Sequence, residues 1–140
     1  MNNDAGNNTL ASIQSPFSDL LGVRVLSATT EEILTEMPVI PSLANRNGVL
    51  HGGAIMGFAD NAGGTLTILN LPAGMATTTL ESKTNFLRPI HIGDTAHGRS
   101  IALHSGRKTM IVQTTITRGD GKVAAIVTQT QMILEWKQDD

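Results

Sequence analysis

A glycine pair and a carboxylate lie in the same apolar stretch of this chain. Gly52 and Gly53 follow His51, and Asp60 comes eight residues after Gly52. Backbone N–H groups at the start of a helix can bind a developing oxyanion, and glycine lets a ligand oxygen approach them closely. A carboxylate can act as a general base on water or as a nucleophile on an acyl carbon. The two features together could polarise a carbonyl group and deliver a nucleophile to it.

The apolar residues around Asp60 recur every three or four positions, which is the spacing of one face of a helix. They are Ile55, Phe58, Ala59, Ala62, Leu66 and Leu69. The spacing predicts one buried helix that begins after His51 and runs to Leu69. Because a carboxylate in such a segment carries a desolvation cost, we predict a catalytic role for Asp60 as a partly buried side chain. The alternative is that the helix breaks at Asp60 and that this residue only caps a second helix.

Gly52 and Asp60 cannot serve the same substrate atom within one chain. Eight helical residues span roughly 12 Å and turn through eight steps of about 100° each. A second, antiparallel copy of the helix would bring the two groups together. The spacing therefore predicts a two-fold homodimer with two equal sites.

The other segments predict the elements that surround the helix. Two strands, at 22–28 and 32–39, precede it, and four strands, at 75–87, 94–104, 108–117 and 122–135, follow it. Residues 9–21 predict one or two helical turns. The Asn-rich residues 1–9 predict a flexible tail, and residues 10–140 predict a single domain. This order predicts an α+β fold in which an antiparallel sheet wraps around one long central helix.

Composition excludes several classes of function. The net charge is −2, and the ten Lys and Arg residues are scattered, which argues against a nucleic-acid partner. Cysteine is absent, and the histidines show no metal-ligand spacing, so we predict no metal. The longest apolar stretch is interrupted by glycines and by Asp60, and the N-terminus is polar, so we expect neither a membrane partner nor a signal peptide. A cytoplasmic location is the resulting expectation.

Asn45, the run from His51 to Gly53, and Asp60 have a spacing that resembles the signature of hotdog-fold acyl-CoA thioesterases. The similarity is greatest to the PaaI-like branch, which is named for phenylacetic acid degradation. It covers about residues 20–135 and includes the segment 79–89 and the turn 105–107. The resemblance implies the hotdog fold and hydrolysis of an acyl-CoA thioester without a cofactor, since coenzyme A is part of the substrate. It also implies a homodimer or a homotetramer of two dimers.

The same resemblance implies roles for single residues. The Gly52 N–H would polarise the thioester carbonyl, and Asp60 would be the catalytic carboxylate. His51 and Asn45 would help to position the substrate or water, although His51 alone would more simply be a helix cap. Thr79 would face the attacking water. Only the resemblance selects Thr79, because Thr77, Thr78 and Thr79 are all ordinary strand residues.

Coenzyme A requires groups that bind phosphate, and guanidinium groups suit this task. We predict that the nucleotide is held by a set of exposed basic residues and glycines, namely Gly53, Arg88, Gly106, Arg107 and Lys108. The alternative is that the basic side chains are merely solvated. The acyl group is expected to be aryl or of medium chain length. Candidate pocket residues are Phe17, Met56, Phe58, Leu71 and Met75.

Two other functions are compatible with the hotdog fold. One is a non-catalytic domain that binds acyl-CoA or regulates another process, but the segment before residue 20 is neither long nor basic enough for a DNA-binding unit. The other is a hydratase or dehydratase, which is disfavoured because the Asp-x4-His pair of those enzymes is missing. The position of Asp60 within the motif favours hydrolysis.

Overall fold

Six antiparallel strands form one sheet in the computed structural model, which describes residues 14–137. The strands are β1 Arg24–Ala28, β2 Glu32–Pro38, β3 Met75–Phe86, β4 Thr95–Ser105, β5 Thr109–Thr117 and β6 Val123–Glu135. Their spatial order is β1-β2-β4-β5-β6-β3, so β1 and β3 are the edge strands. The predicted number of strands and their places in the chain are confirmed.

One long helix packs across the inner face of the sheet. A short helix, α1 Pro16–Leu21, precedes the strands, and the long helix is α2 Gly52–Leu69. Phe58 and Leu66 on α2 are fully buried against the sheet, because the apolar residues follow the helical repeat. The helix is continuous through Asp60, so the alternative of a break there is wrong. A sheet wrapped around one central helix is the hotdog fold, as predicted.

Two glycines of α2 permit close packing that a larger residue would block. A Cβ atom at Gly63 would lie 2.4 Å from the Gln129 Cδ atom, and one at Gly57 would lie 2.8 Å from Phe17 Cε1. Each glycine lowers helix propensity by up to about 1 kcal/mol. In return, Gly63 leaves room for the buried amide of Gln129, and Gly57 leaves room for the ring of Phe17.

The sheet covers only one side of α2. Met56, Asp60 and Ile68 are exposed, and Gly64 is half-buried; these four residues, spaced four apart, are called the open face of α2. Beside them, β3 is an edge strand with exposed Leu80 and Phe86. An apolar helix face next to a free strand edge is a surface on which another chain can pack.

Two of the predictions concern the N-terminal residues 1–21. The helical turns expected within 9–21 are found at α1, whereas the tail expected at 1–9 lies outside the described residues. From residue 14 to residue 137, no helix is both long enough and apolar enough to cross a membrane. The cytoplasmic location stays a prediction.

Candidate active site

Asp60 projects from the open face of α2 toward the edge strand. Its Oδ1 atom accepts a hydrogen bond of 2.7 Å from the Thr79 hydroxyl group on β3. The carboxylate is exposed, so the prediction that it is partly buried is wrong for the single chain. The reason is that the sheet packs on the opposite side of α2, where Phe58 and Ala59 lie.

Thr79 belongs to a hydrogen-bonded network that continues into β6. The Gln131 Nε2 atom donates to the Thr79 hydroxyl oxygen at 2.7 Å, and the Thr77 hydroxyl donates to Gln131 Oε1 at 2.9 Å. Thr78, between these two threonines, is exposed. The structure therefore brings the Thr79 hydroxyl to Asp60, and the expectation that Thr79 faces the attacking water stays a prediction.

Two buried glutamines beside Asp60 were not predicted from the sequence as part of the site. Gln129 and Gln131 are 0% and 1% exposed, and the Gln129 Nε2 atom lies 3.5 Å from both the backbone oxygen and Oδ1 of Asp60. A signal was present, because in the strand predicted at 122–135 they continue the alternating inward series that begins with Ala125 and Val127. Two amides where aliphatic side chains are expected mark a polar site inside the sheet.

A pocket of about 450 Å³ surrounds Asp60. Phe17 and Ser15 from the start of α1 form one wall, and the Ser15 hydroxyl holds α1 on α2 through a 3.1 Å hydrogen bond to Asn61 Oδ1. Among the candidate acyl-pocket residues, Phe17 lines this pocket. Phe58 does not, because it is fully buried in the core. The remaining candidates, Met56, Leu71 and Met75, are not part of its lining.

The helix start provides a different functional group. His51 is the N-cap of α2, and its Nδ1 atom accepts a 2.8 Å hydrogen bond from the Gly53 N–H. The expectation that the Gly53 N–H is open to a ligand is therefore wrong, and the capping alternative for His51 is what the structure contains. The Gly52 N–H has no hydrogen-bond acceptor within residues 14–137. It lies at the positive end of the helix dipole, where an oxyanion is stabilised.

A second pocket, of about 390 Å³, opens beside Gly52. Asn45, Arg88 and Phe86 are among its lining residues, and none of its lining residues borders the Asp60 pocket. Asn45 shapes the preceding loop, because its Oδ1 atom accepts from the backbone N–H groups of Asn47 and Val49 at 2.9 and 3.3 Å. The structure thus gathers Gly52, Asn45 and Arg88 in one place, and Asp60 with Thr79 in another. His51 borders neither pocket but shares a neighbouring surface hollow with Asn45.

The basic residues that were predicted to hold coenzyme A lie at opposite ends of the sheet. The Arg88 Nη1 atom donates to the Val123 backbone oxygen at the start of β6, whereas Lys108 accepts from the Ile133 N–H near its end. Ten strand residues separate Val123 from Ile133, which is about 33 Å at about 3.3 Å per residue. Arg88 and the exposed turn of Gly106, Arg107 and Lys108 therefore cannot contact the same phosphate within one chain. That these residues hold the phosphates of coenzyme A stays a prediction.

Comparison with known proteins assigns the family. A family model described as the thioesterase superfamily matches residues 47–125. A curated relative from Saccharolobus solfataricus, whose name places it among the esterases, is 34% identical over 118 residues, covering 84% of this chain and 82% of that protein. The segment matched by the family model includes the Gly52 N–H, the carboxylate of Asp60 and the hydroxyl of Thr79.

Solved structures share the fold over most of their length. The PaaI protein from the phenylacetic acid degradation operon of E. coli superposes with a TM-score of 0.83 at 22% identity, covering 92% of this chain and 91% of that one. A Streptococcus mutans protein bound to acetyl-CoA superposes with a TM-score of 0.75 at 26% identity, covering 83% and 91%. With the family match, the fold and the two pockets, these likenesses lead to one conclusion: the chain belongs to the thioesterase superfamily, has the hotdog fold, and is a thioester hydrolase.

Proposed function

We propose that this chain hydrolyses acyl-CoA thioesters to a free acid and coenzyme A in a site shared by two copies. The Gly52 N–H of one copy polarises the thioester carbonyl, and Asp60 of the second copy activates water or attacks the acyl carbon. One observation carries the proposal. The Gly52 N–H, which has no acceptor within residues 14–137, and the exposed Asp60 carboxylate lie two helical turns apart on α2, and each opens into a pocket that lacks the other.

The free edge of β3 supports the dimer. A second β3 can pair with this edge in antiparallel fashion and extend the sheet across a two-fold axis. The same rotation lays the open faces of two α2 helices against each other in opposite directions. Exposed Met56 and Leu80 would then be covered, and the Gly52 pocket of each copy would meet the Asp60 pocket of the other. A homotetramer of two such dimers stays a prediction.

The chemistry follows from these positions. Thr79 donates to Oδ1 of Asp60, and no hydrogen bond from residues 14–137 occupies Oδ2. In the general-base route, Asp60 takes a proton from water as the water oxygen attacks the acyl carbon. Negative charge develops on the carbonyl oxygen, where the Gly52 N–H and the helix dipole stabilise it. The C–S bond then breaks, the proton held by Asp60 passes to the departing sulfur, and coenzyme A leaves as its thiol. If Asp60 attacks directly, the C–S bond breaks as an acyl anhydride forms on Asp60, and the coenzyme A thiolate leaves. Water then hydrolyses the anhydride, releases the acid and supplies the proton of the thiol.

In the proposed dimer, basic residues of both copies would lie near one coenzyme A molecule. Antiparallel pairing of two β3 strands would bring the Arg88 end of one sheet beside the end of the other sheet that carries Arg107 and Lys108. Phosphates of one coenzyme A molecule could then contact both sets. The acetyl-CoA bound to the Streptococcus mutans protein supports coenzyme A as the ligand class. The proposed mechanism calls for no metal or redox cofactor, and the expectation that the protein needs none stays a prediction.

Release of free thiol from a panel of aryl- and alkyl-CoA thioesters tests this function. We expect turnover of at least one aryl-acetyl, benzoyl or medium-chain ester. The matched acyl-N-acetylcysteamine thioester, which lacks the nucleotide, should show a higher KM because it loses the phosphate contacts. Binding of coenzyme A esters with no thiol released from any of them would instead indicate a non-catalytic acyl-CoA-binding domain.

A further inference from the structure

A buried amide lies directly behind the Asp60–Thr79 pair. Gln131 is 1% exposed, and both ends of its side chain are hydrogen-bonded to threonines of the edge strand. An amide in the interior costs free energy unless its groups are paired, so its presence requires an explanation. The explanation is found in the direction of its hydrogen bonds.

A hydroxyl group has one hydrogen to donate, and that of Thr79 has two possible acceptors. Asp60 Oδ1 lies at 2.7 Å on one side, and the Gln131 amide lies at 2.7 Å on the other. A carboxylate cannot donate, so the contact with Asp60 takes the Thr79 hydrogen, and the Thr79 oxygen accepts from Gln131 Nε2. Gln131 Oε1 then faces Thr77, whose hydroxyl lies 2.9 Å from both Oε1 and the Met132 backbone oxygen. Because Nε2 can only donate, it does not compete for the Thr79 hydrogen.

We propose that Gln131 is a positioning residue that fixes this direction, so that Thr79 always donates to Asp60 and leaves Oδ2 to face the substrate. The inference rests on the proposed function, and it assigns Thr79 to the carboxylate rather than to the attacking water. Asp60 is the one ionisable side chain that lines its pocket within the described chain. The neighbouring elements carry Asp19 on α1, Glu81 and Lys83 on β3, and Glu135 on β6, none of which lines that pocket.

Two substitutions of Gln131 separate hydrogen-bond direction from simple packing. Gln131→Met removes the donor, and kcat should fall about fivefold, which corresponds to one hydrogen bond of about 1 kcal/mol. Gln131→Glu keeps the shape, and at alkaline pH, where the introduced carboxyl group is ionised, it presents only acceptors, which compete for the Thr79 hydrogen. In that pH range the loss in kcat should exceed about tenfold. If Glu, the isosteric replacement, is the milder change in that range, Gln131 has only a packing role and the proposal is wrong.

A double-mutant cycle tests whether Gln131 acts through Thr79. In a Thr79→Val background, Gln131→Met should change kcat by less than about twofold, because the group it orients is gone. Equal effects in both backgrounds would overturn the proposal. If Gln131→Met does not fold, Thr77→Val provides the second cycle, since it removes a hydrogen-bond partner of Gln131 Oε1. Thr130→Val is the matched control, because that hydroxyl on the outer face bonds Glu81 and should be silent.

The failure of this inference can be told from the failure of the proposed function. If the wild-type protein releases no thiol, both the function and the catalytic role of Gln131 are rejected. If it releases thiol and requires Asp60, but the cycle is additive, only the role of Gln131 is rejected. A measurement without turnover complements the cycle. The side-chain amide ¹H–¹⁵N resonances of Gln131 should shift far more in Thr79→Val than in Thr130→Val, and equal shifts would contradict the hydrogen bond.

Discussion

Replacing Asp60 with asparagine should lower kcat by at least about a hundredfold, the lower range of losses for a general acid or base. Asparagine keeps the size of the side chain and an oxygen that can accept from Thr79, but it cannot take a proton from water or attack a thioester. Asp60 forms no salt bridge with any residue between 14 and 137, so the variant should fold normally. The measurement is kcat on the best substrate of the thioester panel, with the melting temperature as the check on folding.

Asp19→Asn is the matched control for this prediction. Asp19 is an exposed aspartate on α1 that does not line the Asp60 pocket, so kcat should be unchanged. A folded Asp60→Asn variant that retains more than about a third of the wild-type kcat would contradict a catalytic role for Asp60. A fall in kcat/KM with an unchanged kcat would assign Asp60 to substrate binding instead.

Gly52→Pro should remove the hydrogen bond that stabilises the oxyanion. We expect kcat to fall by about a hundredfold to a thousandfold, as for the removal of other single oxyanion donors. Proline removes the Gly52 N–H and nothing else that the helix needs. It is tolerated at the first position of a helix, and the backbone of His51, at φ −63° and ψ 136°, suits a residue that precedes proline. The structure therefore offers a substitution that deletes one hydrogen-bond donor without breaking α2.

Gly52→Ala is the control that isolates the N–H group. Both variants add a Cβ atom that approaches the tip of the half-exposed Phe86 ring at 3.2 Å, but alanine keeps the N–H. We expect Gly52→Ala to retain kcat within about fivefold, since the ring end can move by a few tenths of an ångström. Equal losses in the two variants would show that the side-chain volume, not the N–H, matters at this position.

Much of the fold could be predicted from local patterns. The period of the apolar residues predicted α2, and alternation between turn residues predicted the six strands within two residues of their observed bounds. Helix geometry alone predicted that Gly52 and Asp60 lie too far apart to act on the same atom, because rise and rotation per residue are the same in every α-helix. The exposure of Asp60 was not predictable in this way, since periodicity does not say which side of a helix the sheet leaves uncovered.

The missed features depend on contacts between distant segments. The order of the strands places Arg88 and Lys108 at opposite ends of β6, and no local pattern encodes that order. The hydrogen bond from the Gly53 N–H to the His51 ring depends on the rotamer of one side chain. Gln131 meets Thr79 only through the pairing of β3 with β6, although its alternation along the strand was visible. Local sequence thus predicted the elements, and the sheet decided which side chains meet.

Mixing two inactive variants tests the shared site most directly. Gly52→Pro and Asp60→Asn subunits, refolded together in equal amounts, should form mixed dimers in which one site has both wild-type groups. Random pairing predicts recovery to about a quarter of the wild-type thiol release, because half of the dimers are mixed and each carries one intact site. Mixing Gly52→Pro with a chain that carries both substitutions should recover nothing. Folded mixed dimers, verified by native mass spectrometry, that release thiol no faster than their parents would contradict the shared site.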